Sequence, residues 1–136
     1  MAFDFTVKGG LLVLPEGSHT GDLGIRDGKI SAVGDLPVAG EVLDAGGLIV
    51  LPGMVDTHVH LMDPGPTERE DFPTGTAAAS ARGVTTIVEH THAWPVRSPG
   101  DLAEKRRHLE KRANVDYGLA AHLWPEDVGG MDTLWR

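Results

Sequence analysis

The 136-residue sequence has no cysteine. That excludes disulfides, cysteine-ligated zinc, iron–sulfur clusters and a thiol nucleophile, and it leaves the redox compartment open. Basic residues are few, 12 Lys and Arg against 20 Asp and Glu, for a net charge of −8. Nucleic-acid binding needs clustered cations against phosphate, so this balance argues against it. Long apolar runs are also lacking. The longest, residues 47–55, is interrupted by Pro52 and falls short of the roughly 20 residues a membrane helix needs. The N-terminus has no basic segment and carries Asp4, so no secretory leader is expected and a cytoplasmic location is the default. The chain is also shorter than the roughly 250 residues of a (β/α)8 barrel. A 40% apolar share nevertheless suits a packed core.

Two regions differ in pattern. Residues 1–52 read as short strands and turns. Phe3, Phe5 and Val7 alternate with polar residues, and Leu23 and Ile25 alternate with Gly24 and Arg26. Asp27-Gly28, set between two alternating runs, predicts a two-residue hairpin. A small β-meander or half of a sandwich is expected here. From residue 53 the pattern becomes β-α-β-α-β-(α). Strands are predicted at 54–60, 84–88 and 117–123, and helices at about 72–82 and 99–113. A third helix is expected from Pro125 onward. Asp71 and Ser98 are the predicted N-caps, and Gly83 is the predicted stop of the first helix. Strands alternating with helices predict a parallel sheet with right-handed crossovers. The charged run 104–112 reads as a solvated helix face.

The chemistry concentrates at strand ends. Asp56-Thr57-His58-Val59-His60 closes the first of these strands. His-x-His on a strand sends both rings to one side, about 6.6–6.8 Å apart along the chain. Two such imidazoles can converge on one metal ion, with Asp56 as an orienting partner. A second pair, His90 and His92, ends the next strand, so four histidines could gather at one mouth. In parallel α/β folds that end of the strands is where sites form. His122 ends the third strand, and Trp94 and Trp124 could wall the same mouth. Asp63, Glu68, Glu70 and Asp71 form an acidic stretch that suits a loop and a helix start. Asp63 is also a candidate partner or substrate contact, together with Asp56, His90 and His92. His19 and His108 carry no signal.

The segment Leu51-Pro52-Gly53-Met54-Val55-Asp56-Thr57-His58-Val59-His60 resembles the first-strand signature of the cyclic amidohydrolases: dihydroorotases, allantoinases and hydantoinases. Asp44-Ala45-Gly46-Gly47 and Ala81-Arg82-Gly83-Val84-Thr85-Thr86 extend the resemblance to essentially the whole chain. It implies an α/β fold: the first part of a (β/α)8 metal-dependent hydrolase barrel, preceded by a β-sandwich segment. Residues 1–52 would be that segment and 53–136 the first three β/α units. It implies one or two divalent metal ions, usually zinc, with His58 and His60 as ligands. The other ligands would be a carboxylated lysine on the fourth strand, two later histidines and a late aspartate that is also the general base. It implies a small cyclic-amide substrate and a homo-oligomeric full-length form.

Lys8, Lys29, Lys105 and Lys111 do not match the position of that lysine. The general base is expected beyond Arg136, and no catalytic residue within the chain. The 136 residues therefore read as an N-terminal fragment, inactive alone. Met62 stands where dihydroorotases carry an arginine, which favours the allantoinase and hydantoinase branches. Two alternatives remain open: a non-catalytic chain that assembles with an active partner, and a self-contained metal-binding module.

Overall fold

The structure is a computed structural model that describes residues 3–134. The chain divides into two compact units, Met1–Pro52 and Gly53–Arg136.

The first unit is a five-stranded sheet of β1 (Phe5–Leu14), β2 (Gly17–Arg26), β3 (Lys29–Gly34), β4 (Glu41–Asp44) and β5 (Ile49–Val50). Strands β1, β2 and β3 pair antiparallel in sequence order. The predicted turn holds: Asp27 and Gly28 both have positive φ, at 50° and 70°, as a type I′ hairpin requires. A pure meander does not hold, because β4 and β5 both return to lie parallel to β1. Gly9-Gly10 forms a bulge in β1, with the register shifting between Val7 and Gly10. Val7, Leu12, Leu23 and Ala45 form the core, flanked by Phe5, Leu14, Ile25 and Val50.

Asp22 locks the bulge. Its buried carboxylate accepts from Lys8 Nζ at 2.7 Å, from Gly9 N–H at 2.9 Å and from Leu36 N–H at 2.9 Å. The Lys8 hydrogen bond, helped by the two backbone donors, holds its pKa down to about 2.

The second unit is a parallel sheet ordered β6 (Met54–Val59), β7 (Val84–Glu89), β8 (Asp116–Leu119). Helix α1 (Phe72–Ala81) connects β6 to β7, and α2 (Pro99–Leu109) connects β7 to β8. Both caps are as predicted: Asp71 accepts from Thr74 N–H at 2.8 Å, and Ser98 from Asp101 N–H at 3.2 Å. Gly83 follows the C-cap Arg82 with φ 83°, the left-handed conformation that ends a helix. Leu61, Phe72, Ile87 and Leu109 form the core, and Phe72 meets Tyr117 edge-to-face at 5.2 Å.

Strand β6 lies at the sheet edge with Met54 and Val55 exposed. Three expectations change. Strand β8 stops at Leu119, and Ala121 then makes only an isolated bridge to Val96. Helix α2 ends at Leu109 instead of Ala113, because Glu110 turns extended and Lys111 has φ 63°. That turn delivers Arg112 and Asn114 back across the unit. After β8, a 3-10 turn (Pro125–Gly130) and a short helix α3 (Met131–Leu134) replace the expected single helix. Gly129 and Gly130 disfavour a continuous one. Trp135 and Arg136 lie outside the described residues.

Arg112 reaches Asp63, which is fully buried in the β6–α1 loop. Asp63 accepts from Arg112 at 2.6 Å, His108 at 2.7 Å and Phe72 N–H at 3.1 Å. Burial alone would push its pKa up, but these three donors outweigh burial and hold it below the usual value.

Two outcomes are expected. The folded pKa of Asp22 lies below its unfolded value, so its contribution to stability is present above about pH 4 and is lost as the pH falls toward 2. Denaturant midpoints of Asp22→Asn should therefore depend less on pH across that window than those of the parent chain. Asp63→Ala removes the acceptor of one buried amide, of the Arg112 guanidinium and of the His108 ring. It should destabilise the second unit by about 1–3 kcal/mol in urea melts, and an unchanged midpoint would contradict the anchoring role.

Candidate functional site

Five imidazoles meet at the C-terminal ends of β6, β7 and β8. His58 and His60 come from β6 and the residue after it. His90 and His92 follow β7, and His122 follows β8. His58 stacks on His90 with centroids 4.2 Å apart and planes within 5°. His60 stacks on His92 at 5.4 Å, and His92 meets His122 edge-on at 4.7 Å. All four predicted histidines therefore converge, and His122 joins them.

The closest approach is between His58 Nε2 and His60 Nε2, at 3.2 Å. Two nitrogens bound to one zinc ion at 2.0–2.1 Å in tetrahedral geometry stand about 3.3 Å apart. The pair therefore fits two neighbouring positions of a metal's coordination shell. A strict strand would keep the residues further apart along the chain. The β6–β7 register slips between Asp56 and Val59, and a bulge of this kind re-aims side chains. Among the described residues, no group of three or more histidines and carboxylates is placed to hold a metal ion. By itself the pair is not a complete coordination shell.

The carboxylates do not join the cluster. Asp56 Oδ1 accepts the backbone N–H of His58 at 3.1 Å rather than an imidazole proton. Asp63 is bound to Arg112, His108 and Phe72 N–H, as described above. Glu89, the last residue of β7, is fully buried and pairs with Lys105 of α2 at 2.5 Å. Lys105 is 1% exposed, so the charged run on α2 is not wholly solvated. Sequence reasoning missed this pair and the role of His108. The available signal was spacing: Lys105, His108 and Leu109 fall at i, i+3 and i+4, the interval of one helix face.

His122 donates from Nε2 to the carbonyl of His90 at 2.9 Å. Its Nδ1 is buried without a hydrogen-bond partner. Burial is the largest cause of its lowered pKa, reinforced by His92, Lys105 and His90 nearby. Burial thus disfavours the charged ring, and with the proton on Nε2 the neutral ring carries a lone pair on Nδ1. His90 Nε2 lies 3.1 Å from the carbonyl of Thr57, which ties the β7 end to β6.

The segment after β8 is held from the β7 side. Arg97 pairs with Asp127 at 2.8 Å and Glu126 at 3.1 Å. It also lies over the ring of Trp124 at 4.4 Å. Trp124 in turn neighbours His122, with centroids 6.4 Å apart. Trp124 thus flanks the imidazoles. Trp94 instead neighbours His108, 6.3 Å away, and its carbonyl accepts from Lys105.

Known proteins share this arrangement of strands. The family model described as "Dihydro-orotase-like" matches residues 47–117, which take in both His-x-His pairs. An allantoinase of Bacillus licheniformis is 46% identical over 98% of this chain. An allantoinase of Deinococcus radiodurans is 38% identical over the same share. Among solved structures, an L-hydantoinase (dihydropyrimidinase) from Arthrobacter aurescens superposes with a TM-score of 0.84 at 29% identity, over 98% of the chain. In all three comparisons the chain spans 31% of the relative's length. The match over just over half of the chain, on the strands that carry the clustered histidines, shows that it belongs to the dihydro-orotase-like family.

Proposed function

We propose that this chain is the N-terminal part of a metal-dependent cyclic amidohydrolase, the family's (β/α)8 barrel being completed by further sequence. The observation that carries this reading is the 3.2 Å approach of His58 Nε2 and His60 Nε2 at the end of a parallel strand. Support comes from the similar proteins, two allantoinases and an L-hydantoinase. The substrate class is a small cyclic amide of the allantoin, hydantoin or dihydropyrimidine type. The reading carries with it a cytoplasmic location and a homo-oligomeric full-length form. No helix among the described residues is long and apolar enough to cross a membrane.

His58 and His60 would hold the ion through their Nε2 atoms, and imidazole nitrogen suits zinc among the divalent metals. A divalent cation held there supplies Lewis acidity toward a ring carbonyl and lowers the pKa of water. Within this chain, the histidines bind and the surrounding hydrogen bonds orient. His90 and His92 line the mouth beside the metal pair, placed for contact with substrate or with the bound ligands. The buried carboxylates hold loops in place. The general base that takes a proton lies outside these 136 residues.

In the full-length protein, His58→Ala and His60→Ala should each cut cyclic-amide hydrolysis by about a hundredfold or more and reduce bound zinc measured by atomic absorption. Dialysis against a chelator should abolish turnover, and added zinc should restore it. Full activity after complete metal removal would end the metal-dependent reading. Turnover by the 136-residue chain alone would end the reading of it as an incomplete catalyst.

A further inference from the structure

A His-x-His pair marks the C-terminal end of β6 and of β7, and hydrogen bonds link one buried ion pair to the loops that follow both strands. Glu89 has no exposed surface and Lys105 is 1% exposed. Glu89 Oε2 accepts from Lys105 Nζ at 2.5 Å, and its Oε1 accepts from Thr91 N–H at 2.6 Å. Lys105 Nζ also donates to the carbonyl of Trp94 at 3.2 Å. The lysine thus grips both ends of the segment that holds His90 and His92. Thr91 is itself fully buried, and its hydroxyl accepts from Met62 N–H at 3.1 Å. Met62 lies two residues after His60 and sits at φ 54°, a conformation a non-glycine residue keeps only when its surroundings impose it.

An unbroken series of hydrogen bonds therefore runs from α2 to the flanks of both histidine pairs. A buried ion pair adds little stability over a well-packed apolar pair of equal volume. It does fix direction, because each oxygen of the carboxylate must meet a donor. Here the donors are an ammonium on one helix and an amide between two histidines.

We propose that Lys105 is a positioning residue: through Glu89 and Thr91 it sets the spacing of the His58/His60 pair against the His90/His92 pair. Its link to turnover rests on the function proposed above; its effect on the loops does not.

The test compares Lys105→Met and Thr91→Val with the parent in the full-length protein, well below each variant's melting temperature. Deuterium uptake is followed by mass spectrometry in peptides covering residues 60–64, 90–95 and 84–88, beside steady-state kinetics on a cyclic amide. Lys105→Met should speed exchange over 60–64 and 90–95 by about tenfold while leaving strand 84–88 unchanged. It should lower kcat by about ten- to a hundredfold, with KM within about twofold of the parent. Thr91→Val keeps the ion pair and removes only the hydroxyl, so exchange should rise over 60–64 and not over 90–95. It also decides the matter where Lys105→Met fails to fold. Unchanged uptake in both segments of a folded Lys105→Met, an equal rise across all three peptides, or unchanged uptake over 60–64 in Thr91→Val would overturn the proposal. If the parent hydrolyses no cyclic amide, the proposed function falls and the exchange data alone judge the positioning role.

Discussion

A single buried carboxylate organises the parallel unit. Asp63 leaves the strand that carries the first histidine pair and must find donors for both oxygens before it can be taken out of water. It finds them on segments far away in sequence: Arg112 is 49 positions along the chain, His108 is 45 and Phe72 is 9. Satisfying it brings the start of α1 and the end of α2 to the same loop. The Phe72 ring is thereby seated in the core against Tyr117. The sharp turn at Lys111 becomes necessary, because only that turn sends Arg112 back to the carboxylate. The crossovers are held by the chemistry of one side chain as much as by apolar packing.

Much of this architecture was legible in the sequence where local chemistry decides. Asp71 and Ser98 cap their helices because their short oxygens reach the first free amides. Asp27-Gly28 turns because both residues tolerate positive φ. What was not legible depended on distant partners. The parallel return of β4 and β5 to β1 leaves no local trace in 41–44 or 49–50. The early end of α2 follows from a partner 49 residues back, not from helix propensity. Lys105 looks like a solvated charge until Glu89 is placed beside it.

The site divides in the same way. The His-x-His spacing and its place at a strand end pointed to His58 and His60, and the repeat at the next strand pointed to His90 and His92. The buried lone pair of His122 could not be read, because its environment is built by the bridge between Val96 and Ala121. Nor could the sequence show that the nearby acids are diverted. Asp56, Asp63 and Glu89 are engaged by a backbone amide, by α2 with the start of α1, and by Lys105 with Thr91. The strand ends thus present imidazole as their principal donor. A cation seated there would draw most of its charge compensation from groups these residues do not supply.

Arg97 has a different reach. It fastens the segment after β8 through two carboxylates and the face of Trp124, and it does so at the surface, with its side chain 39% exposed. Exposed charge pairs weaken as mobile ions crowd in, with a screening length of about 8 Å at physiological ionic strength. The cation–ring contact has no net charge on its second partner and is less sensitive. Rising ionic strength would therefore loosen the acidic half of the clasp before the aromatic half. The link to the exposed Glu126 would go first, while Asp127, which also accepts the Trp124 N–H at 3.1 Å, keeps the wall of the histidine mouth seated beside His122.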